Sequence, residues 1–338
     1  MLQTLQEVKS LRKSLFFVAI LMVTVFALTG LAFAQDKPAE GMYFRLVTHG
    51  GDDPFWAVVQ RGAYDAAEQL GAQVDIDLAG GDLALQLRRF EEAVALEPDG
   101  IALVVNDDTA WNQPVADALA AGIPVIGMNT DHSQGGIGNP RLAYIGQDEI
   151  RAGYMVGRRL FEEAEAQGWD LTDAHVAMSV EVPGAVYGVQ RSQGILNAME
   201  EFGITSYEII DAGGLEMTTV ESRQTSYLLG HPETTFMIGL GGITTDRITD
   251  SLRAAGYGPG EILGGGFDTT PATLDGIREG YITATIDQQQ YLQGYFAVYV
   301  LYLYNEFGLL PNIDTGGFLI DGPDQIELIE ELSPLHIR

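Results

Sequence analysis

The stretch Gly264-Gly265-Gly266-Phe267-Asp268 decides how the chain is organised. It follows the apolar pair Ile262-Leu263, so the small residues and Phe267 predict a buried strand that ends on one carboxylate. Thr270-Pro271 then predicts a helix start, with a hydroxyl at the N-cap and proline at the first helical position. A second strand is expected at 281–286, followed by a polar Asp-Gln-Gln-Gln run. Asp268 is therefore expected at the carboxyl edge of a sheet, next to a segment where the chain could cross between domains.

Strands and helices alternate on both sides of this edge. The expected strands cover 43–47, 73–77, 101–105, 124–128 and 142–145, and then 175–179, 206–210, 235–239 and 261–266. The expected helices include 54–70, 83–96, 148–167, 187–202, 218–229, 243–255 and 288–307. Two successive β/α series of this kind predict an α/β fold with two doubly wound parallel sheets.

Composition limits the function. A chain of 338 residues is long enough for two domains, and 46% hydrophobic with 19% charged residues is an ordinary globular mixture. The formal net charge of −29 argues against nucleic acid as a partner, because phosphate binding needs a basic surface. The sequence has no cysteine, which excludes disulfides, thiolate metal sites and a lipid-modified cysteine.

The N-terminus predicts export. Lys9, Arg12 and Lys13 precede an apolar run over 15–28, and Ala32-Phe33-Ala34 offers small residues at the two positions that a signal peptidase requires. Residues 1–34 are therefore expected to be a cleavable signal peptide, and the mature protein to be soluble in the periplasm rather than a lipoprotein. An uncleaved anchor is the alternative, although Thr24, Thr29 and Gly30 weaken it.

Ligands of doubly wound folds bind beyond the carboxyl ends of the strands. After the first strand, Asp53, Phe55 and Trp56 suggest an acceptor and a flat apolar wall suited to a sugar; the alternative is a capped helix whose ring enters the core. Further polar groups follow other strands: Asn106 or Asp107, Asn129, His132 as a solvated loop residue, and Arg191 as a bidentate donor to ligand oxygens. The glycine-rich loop 239–242 suggests a close-packed turn rather than a phosphate site, because no P-loop lysine follows it.

Several motifs together resemble the periplasmic sugar-binding proteins of the ribose-binding type, the solute-binding components of ABC importers. They are Asp-Pro-Phe-Trp at 53–56, Pro-Asp-Gly-Ile at 98–101, Ala-Gly-Ile-Pro-Val-Ile at 121–126, Arg191 before Gly194-Ile195, Gly-Phe-Asp at 266–268 and Ala-Thr-Ile-Asp-Gln at 284–288. The similarity runs from about Tyr43 to Ile329. It implies a type I periplasmic binding protein with two lobes and a three-segment hinge.

The resemblance also implies the limits of the lobes and the contacts with the ligand. The first lobe would hold 42–145 and 288–312, and the second 146–287 and 313–332, with crossings near 144–146, 285–288 and 313–317. Asp53, Phe55, Trp56 and Asn129 would contact the ligand from the first lobe, and Arg191, Asp268 and Gln288 from the second lobe and hinge; Asp107 is kept as a further candidate. No cofactor, metal or catalytic residue is implied.

Three departures leave the ligand open. Relatives of the ribose binder carry an Asp-Arg pair where this chain has Asn129-Thr130, an asparagine where it has Gly241, and often a stacking aromatic near 215–217. A pentose, a hexose, a cyclic polyol and a linear polyol all remain candidates.

The expected function is that of a monomer that closes on a small neutral sugar or polyol and delivers it to the membrane subunits of an ABC permease. A periplasmic sensor that presents its closed form to a chemoreceptor or kinase would use the same clamp. A secreted sugar hydrolase would use Asp53 and Asp268 as its carboxylate pair, but no histidine or metal cluster accompanies them. A sugar-responsive repressor would need a DNA-binding segment in place of the signal peptide.

Overall fold

Residues 37–51 and 54–338 are described here from a computed structural model of the chain. Residues 37–40 make one turn, in which the Glu40 N–H donates to the Lys37 carbonyl at 3.0 Å. Residues 41–338 form two α/β lobes, each built on one six-stranded sheet. Within the described residues, no helix combines the length and the apolarity that crossing a membrane requires.

The first sheet is parallel throughout. Its strands are β1 (Tyr43–Thr48), β2 (Gln73–Leu78), β3 (Gly100–Leu103), β4 (Val125–Asn129), β5 (Tyr144–Gly146) and, much later in the chain, Ile313–Asp314. Their spatial order is Ile313–Asp314, β5, β4, β3, β1, β2. The helices that connect them are Pro54–Leu70, Leu83–Ala95 and Asn112–Ala120, with a 3₁₀ turn at Gly135–Ile137.

The second sheet repeats this plan with one exception. Its strands are β6 (His175–Val180), β7 (Ser206–Asp211), β8 (Thr234–Gly239), β9 (Leu263–Phe267), β10 (Ile282–Asp287) and, after Ile313–Asp314 (β11), β12 (Phe318–Ile320). Their order is β12, β10, β9, β8, β6, β7, and only β12 runs antiparallel to its neighbour. The remaining helices are Glu149–Ala166, Val186–Phe202, Met217–Gly230, Gly242–Asp246, Ile248–Ala255, Pro271–Glu279, Gln290–Phe307 and Pro323–Leu332, with a 3₁₀ turn at Ser333–Leu335.

The expected α/β class with two mostly parallel sheets is confirmed. The expected helix over 243–255 is wrong in one respect, because it breaks at Arg247 into two helices. The Thr244 and Thr245 hydroxyls donate to the Gly241 carbonyl at 3.0 and 2.7 Å, which fixes the first short helix to the preceding turn.

The chain passes between the sheets three times, after β5, after β10 and after β11. β11 itself pairs with β5 of the first sheet, so the third passage falls between Asp314 and Phe318. These passages meet, since the Thr315 N–H donates to the Gly146 carbonyl at 2.9 Å and Gln289 Nε2 donates to the Thr315 carbonyl at 2.9 Å.

The triple glycine of β9 is required by packing on both faces of the strand. All five residues of β9 are buried. A Cβ at Gly264 would lie 2.5 Å from the Tyr281 carbonyl, at Gly265 2.7 Å from the Leu160 side chain and at Gly266 2.1 Å from the Thr245 hydroxyl. Neighbouring backbone and side chains therefore fill the volume that larger residues would need.

Glycines also bring two helix pairs together in the same way. A Cβ at Gly294, in helix Gln290–Phe307, would lie 1.9 Å from the Val59 carbonyl of helix Pro54–Leu70. A Cβ at Gly194, in helix Val186–Phe202, would lie 2.0 Å from the Ile150 carbonyl of helix Glu149–Ala166. In each lobe, the helix that carries candidate site residues therefore packs backbone to backbone on the helix that follows a crossing.

Candidate functional site

Arg191 is buried at the second turn of helix Val186–Phe202, with 4% of its surface exposed. Its Nε and Nη2 donate to the Glu149 carboxylate at 2.6 and 3.2 Å, Nη1 donates to the Leu240 carbonyl at 2.8 Å, and Nη2 also donates to Gln288 Oε1 at 3.3 Å. Four of the five N–H groups of a guanidinium are thereby used. The bidentate face of Arg191, which the sequence predicted to donate to ligand oxygens, donates to Glu149. One N–H of Nη1 is left for another acceptor.

Two aromatic rings flank the Arg191 guanidinium. Its carbon lies 4.0 Å from the centroid of the Phe267 ring and 5.0 Å from that of Tyr187. Cation–π contacts of this kind hold a planar guanidinium in one orientation. Burial alone would lower the pKa of Arg191, but the Glu149 carboxylate raises the pKa above its ordinary value.

Glu149 begins helix Glu149–Ala166, directly after the first passage between the sheets. Its side chain is buried beside Arg191 and also accepts a hydrogen bond from Gln147 Nε2. Burial raises the pKa of Glu149, and Arg191 opposes that rise. A buried carboxylate and a buried guanidinium thus compensate each other next to the first passage between the sheets.

Gln288 connects Arg191 to Asp268. Gln288 is 3% exposed and lies after β10, and its Nε2 donates to Asp268 Oδ1 at 2.6 Å. Asp268 follows β9 with a φ of 70°, a left-handed conformation that is uncommon outside glycine and asparagine or aspartate. Its N–H donates to the Ile286 carbonyl at 2.8 Å, which pins the turn to β10. Burial raises the pKa of Asp268 to about 6, and Arg191 and Gln288 partly oppose the rise.

Asn129 brings the first sheet into the same network. It ends β4 with a φ of 63°, is 7% exposed, and its Nδ2 donates to Gln293 Oε1 at 3.0 Å. Gln293 is fully buried in helix Gln290–Phe307, and its Nε2 donates to the Gln288 carbonyl at 3.2 Å and to the Thr315 hydroxyl at 3.3 Å. One glutamine therefore joins the end of β4 to the second and third passages.

The two aromatics near the end of β1 have different environments. Trp56 is 4% exposed, with its ring edge-on to His49 and Phe55 at 5.4 and 5.3 Å between centroids. A Cβ at Gly50 would lie 2.3 Å from the Trp56 indole, so the indole rests on the backbone of the preceding loop. Phe55 is half-buried. Of the two rings, Phe55 retains the larger exposed surface.

Three further residues that the sequence singled out belong to loops of the first half of the chain: Asp107, Asp53 and His132. Asp107 Oδ1 accepts from the N–H groups of Thr109 and Ala110 at 2.8 Å each, so that oxygen caps the following turn. These backbone N–H groups lower the pKa of Asp107. Asp53 lies outside the described residues. The expected solvated position of His132 is wrong, because its ring is 7% exposed and Nε2 lies 2.9 Å from the Asp108 carbonyl.

Hydrogen bonds connect four of the eight candidates from the sequence. Arg191, Gln288 and Asp268 form one continuous chain, and Asn129 joins it through Gln293. Phe55, Trp56 and Asp107 lie after β1 and β3 of the first sheet. The network is a set of oriented donors and acceptors, and no group of metal-ligating side chains occurs among the described residues.

Sequence reasoning missed the supporting residues Gln147, Glu149, Tyr187 and Gln293, and it also missed the buried carboxylate of Glu181. Glu149 and Glu181 both follow strands closely, after β5 and β6, and the rule that selected Asp268 applies equally to them. Gln293 carried no such signal, because a glutamine inside an aromatic helix is usually placed at its surface.

Comparisons with known proteins agree on one family. The model of the periplasmic binding protein domain matches residues 44–307. A xylose/arabinose-binding protein from Sulfolobus acidocaldarius is 31% identical over 288 residues, which is 81% of this chain and 69% of that protein.

Solved structures give the same result. A periplasmic sugar-binding protein of an ABC sugar transporter from Legionella pneumophila superposes with a TM-score of 0.73 at 31% identity, covering 82% of this chain and 100% of that one. A carbohydrate transporter protein from Acidothermus cellulolyticus, solved with myo-inositol, has a TM-score of 0.76 at 25% identity, covering 88% of this chain and 99% of that one.

Proposed function

The chain belongs to the periplasmic binding protein family, and from this premise we propose that it captures a small neutral sugar or polyol between its two sheets and delivers it to the membrane permease of an ABC importer. The family is one of substrate-binding proteins rather than enzymes. The observation that carries the proposal is the hydrogen-bond chain from Asn129 in the first sheet to Asp268 in the second, through Gln293 and Gln288.

Hydroxyl-rich ligands suit this network. The Asp268 carboxylate accepts hydrogen bonds, and a carboxylate acceptor makes a stronger bond to a hydroxyl than a neutral one does. The second N–H of Asn129 and the remaining N–H of Arg191 donate. Phe55, with its partly exposed ring, would cover an apolar face of a sugar. Asp53, Trp56 and Asp107 complete the proposed set of ligand contacts.

Closure follows from the three passages between the sheets. We assign 42–145 with 288–312 to the first lobe and 146–287 with the residues after the third passage, up to 332, to the second; β11 (Ile313–Asp314) goes with the first lobe, because it pairs there with β5. A ligand that contacts both lobes favours the closed state by its differential affinity for the two states. The permease then recognises the closed, ligand-bound conformation.

Export completes the proposal. Residues 1–34, a signal peptide by their sequence pattern, lie outside the described residues. Cleavage after Ala34 would release a soluble periplasmic monomer. Mass spectrometry of the protein secreted by its host tests the cleavage site, and light scattering tests the monomer.

A thermal-shift screen tests the binding function. Purified residues 35–338 are heated with D-xylose, L-arabinose, D-ribose, D-allose, D-glucose, D-galactose or myo-inositol. A ligand that binds only the folded protein at 1,000 times its Kd adds about 4 kcal/mol of stability, which raises the melting temperature by several degrees. The proposal expects such a shift with at least one sugar and its loss in Asp268→Ala. No shift with any sugar or polyol, or chemical conversion of the sugar, would contradict it.

A further inference from the structure

Glu181 is a buried carboxylate in the second lobe to which the proposed function gives no role. It follows β6 directly, and β6 is separated from β9 and Asp268 only by β8. Its side chain is 4% exposed. The carboxyl ends of β6, β8 and β9 therefore present Glu181, the turn 240–242 and Asp268 side by side.

Glu181 is held by neutral groups. Oε1 accepts from the Thr244 N–H at 3.2 Å and lies 3.3 Å from the Thr244 hydroxyl oxygen, and Oε2 accepts from the Tyr187 hydroxyl at 3.3 Å. In the described part of the chain, no ion pair joins it to a cation, since Arg191 is paired with Glu149. A carboxylate has about four acceptor positions, so Glu181 retains capacity for another donor.

Gly241 and Gly242 make room for both carboxylates. A Cβ at Gly241 would lie 2.3 Å from Glu181 Oε1 and 2.5 Å from Oε2, and a Cβ at Gly242 would lie 2.4 Å from Asp268 Oδ2. Any side chain at Gly241 would thus displace the Glu181 carboxylate.

The two carboxylates also influence one another. Burial is the main cause of the raised pKa of Asp268, and the charge of Glu181 adds to it. Because Glu149 already neutralises Arg191, the second lobe presents two acceptor groups and little positive charge to a ligand. Such a surface favours groups that donate hydrogen bonds and repels carboxylate or phosphate.

We infer that Glu181 is a specificity-determining residue of the proposed sugar site, where it accepts a hydrogen bond from one ligand hydroxyl. The inference rests on the proposed function and adds the class of ligand: a neutral carbohydrate with hydroxyl donors toward the second lobe. A purely structural role, in which Glu181 only fastens the turn at Thr244, is the alternative to be separated.

Calorimetric titration with deoxy analogues separates these roles. The tightest binder among D-xylose, L-arabinose, D-ribose, D-allose, D-glucose, D-galactose and myo-inositol is titrated together with its singly deoxygenated analogues. The proteins are wild type, Glu181→Gln, Gly241→Ala and the control Glu200→Gln, an exposed glutamate on helix Val186–Phe202. Gly241→Ala keeps Glu181 but displaces its carboxylate, so it tests the same ligand contact if Glu181→Gln folds poorly.

The expected result is a selective coupling. Glu181→Gln and Gly241→Ala weaken the parent sugar by roughly 10- to 100-fold, as loss of a charge-assisted hydrogen bond predicts. In wild type, one deoxy analogue loses a similar factor, while in Glu181→Gln the same deletion costs less than about threefold. Glu200→Gln behaves as wild type.

Two other outcomes have distinct meanings. If Glu181→Gln and Gly241→Ala weaken the parent and every analogue by one common factor, or not at all, Glu181 does not contact the ligand and the inference is wrong while the binding function stands. If no sugar or polyol of the panel binds wild type, the proposed function fails and this inference fails with it.

Discussion

Glu149 and Arg191 form an ion pair inside the protein, with Glu149 Oε2 2.6 Å from Arg191 Nε and with 3% and 5% of their side chains exposed. The pair joins the helix that begins after the first passage between the sheets to the helix that follows β6. Arg191 in turn reaches Gln288 after the second passage. The orientation of the hydrogen-bonded network therefore depends on one buried charge pair next to the passages between the sheets.

Removing either charge of this pair should cost stability. We expect Glu149→Ala and Arg191→Ala each to lower the free energy of unfolding by about 3–5 kcal/mol, because the partner is left buried and unpaired. The double variant should lose much less than the sum of the two. Urea unfolding measures all three. In the exposed pair Arg158–Glu162, Glu162→Ala should change stability by less than about 1 kcal/mol. Additive losses at Glu149 and Arg191 would contradict the pairing.

Asp268 should make stability depend on pH. Its pKa is raised from 3.8 to about 6, so the folded protein binds more protons than the unfolded chain between about pH 4 and 6. The contribution of Asp268 to the free energy of unfolding therefore falls as the pH rises through this window. Asp268→Asn should be more stable than wild type at pH 7 by on the order of 3 kcal/mol, and this advantage should vanish near pH 4. Parallel stability curves from pH 4 to 7 would contradict the raised pKa.

Gln293 should be needed for both stability and binding. Gln293→Leu leaves the Asn129 amide, the Gln288 carbonyl and the Thr315 hydroxyl without this partner. Each of the three buried groups that loses its bond costs about 1–3 kcal/mol, so we expect a loss of at least about 3 kcal/mol in urea unfolding. Sugar affinity should also fall, since Asn129 loses its orientation. The control is Gln193→Leu on the exposed side of helix Val186–Phe202, where a change above about 1 kcal/mol is not expected. Equal effects at Gln193 and Gln293 would refute this role.

Gly294→Ala should push helix Gln290–Phe307 away from helix Pro54–Leu70, which carries Phe55 and Trp56. The new Cβ would meet the Val59 carbonyl at 1.9 Å, so the two helices must move apart. We expect destabilisation of about 1–3 kcal/mol and weaker sugar binding, measured by thermal unfolding and calorimetry. Gly230→Ala is the matched control, because nothing lies within 4 Å of its Cβ position and alanine favours helix. If Gly294→Ala were as well tolerated as Gly230→Ala, the close helix contact would be disproved.

The sequence predicted the fold because each signal was local. Thr270 caps helix Pro271–Glu279 by accepting from the Thr273 N–H at 3.3 Å, and Gly280 ends that helix with a φ of 81°, as their residue types indicate. The two β/α series could be predicted from the hydrophobic periodicity and from the residues that begin and end each element. The antiparallel β12 did not, because its three residues pair with β10 only after a long return of the chain.

The site was harder to predict because its support is tertiary. Asp268, Arg191 and Gln288 could be selected by their place after strands and by the family motif. The pairing of Arg191 with Glu149 could not be predicted, since Glu149 lies 42 residues away and its position is typical of the first turn of a capped helix. The two helices meet only because Gly153 and Gly194 permit backbone contact, and that packing is not visible in either segment alone.

The central claim is that one ligand is held by residues of both lobes at the hinge network. Amide hydrogen exchange of residues 35–338, with and without the sugar selected by the thermal-shift screen, tests it most directly. The account predicts slower exchange in the presence of sugar at the ends of β4 and β9 together, around Asn129 and Asp268, and at the passage near Gln288. Protection at the end of only one of these strands, or at neither, would contradict it.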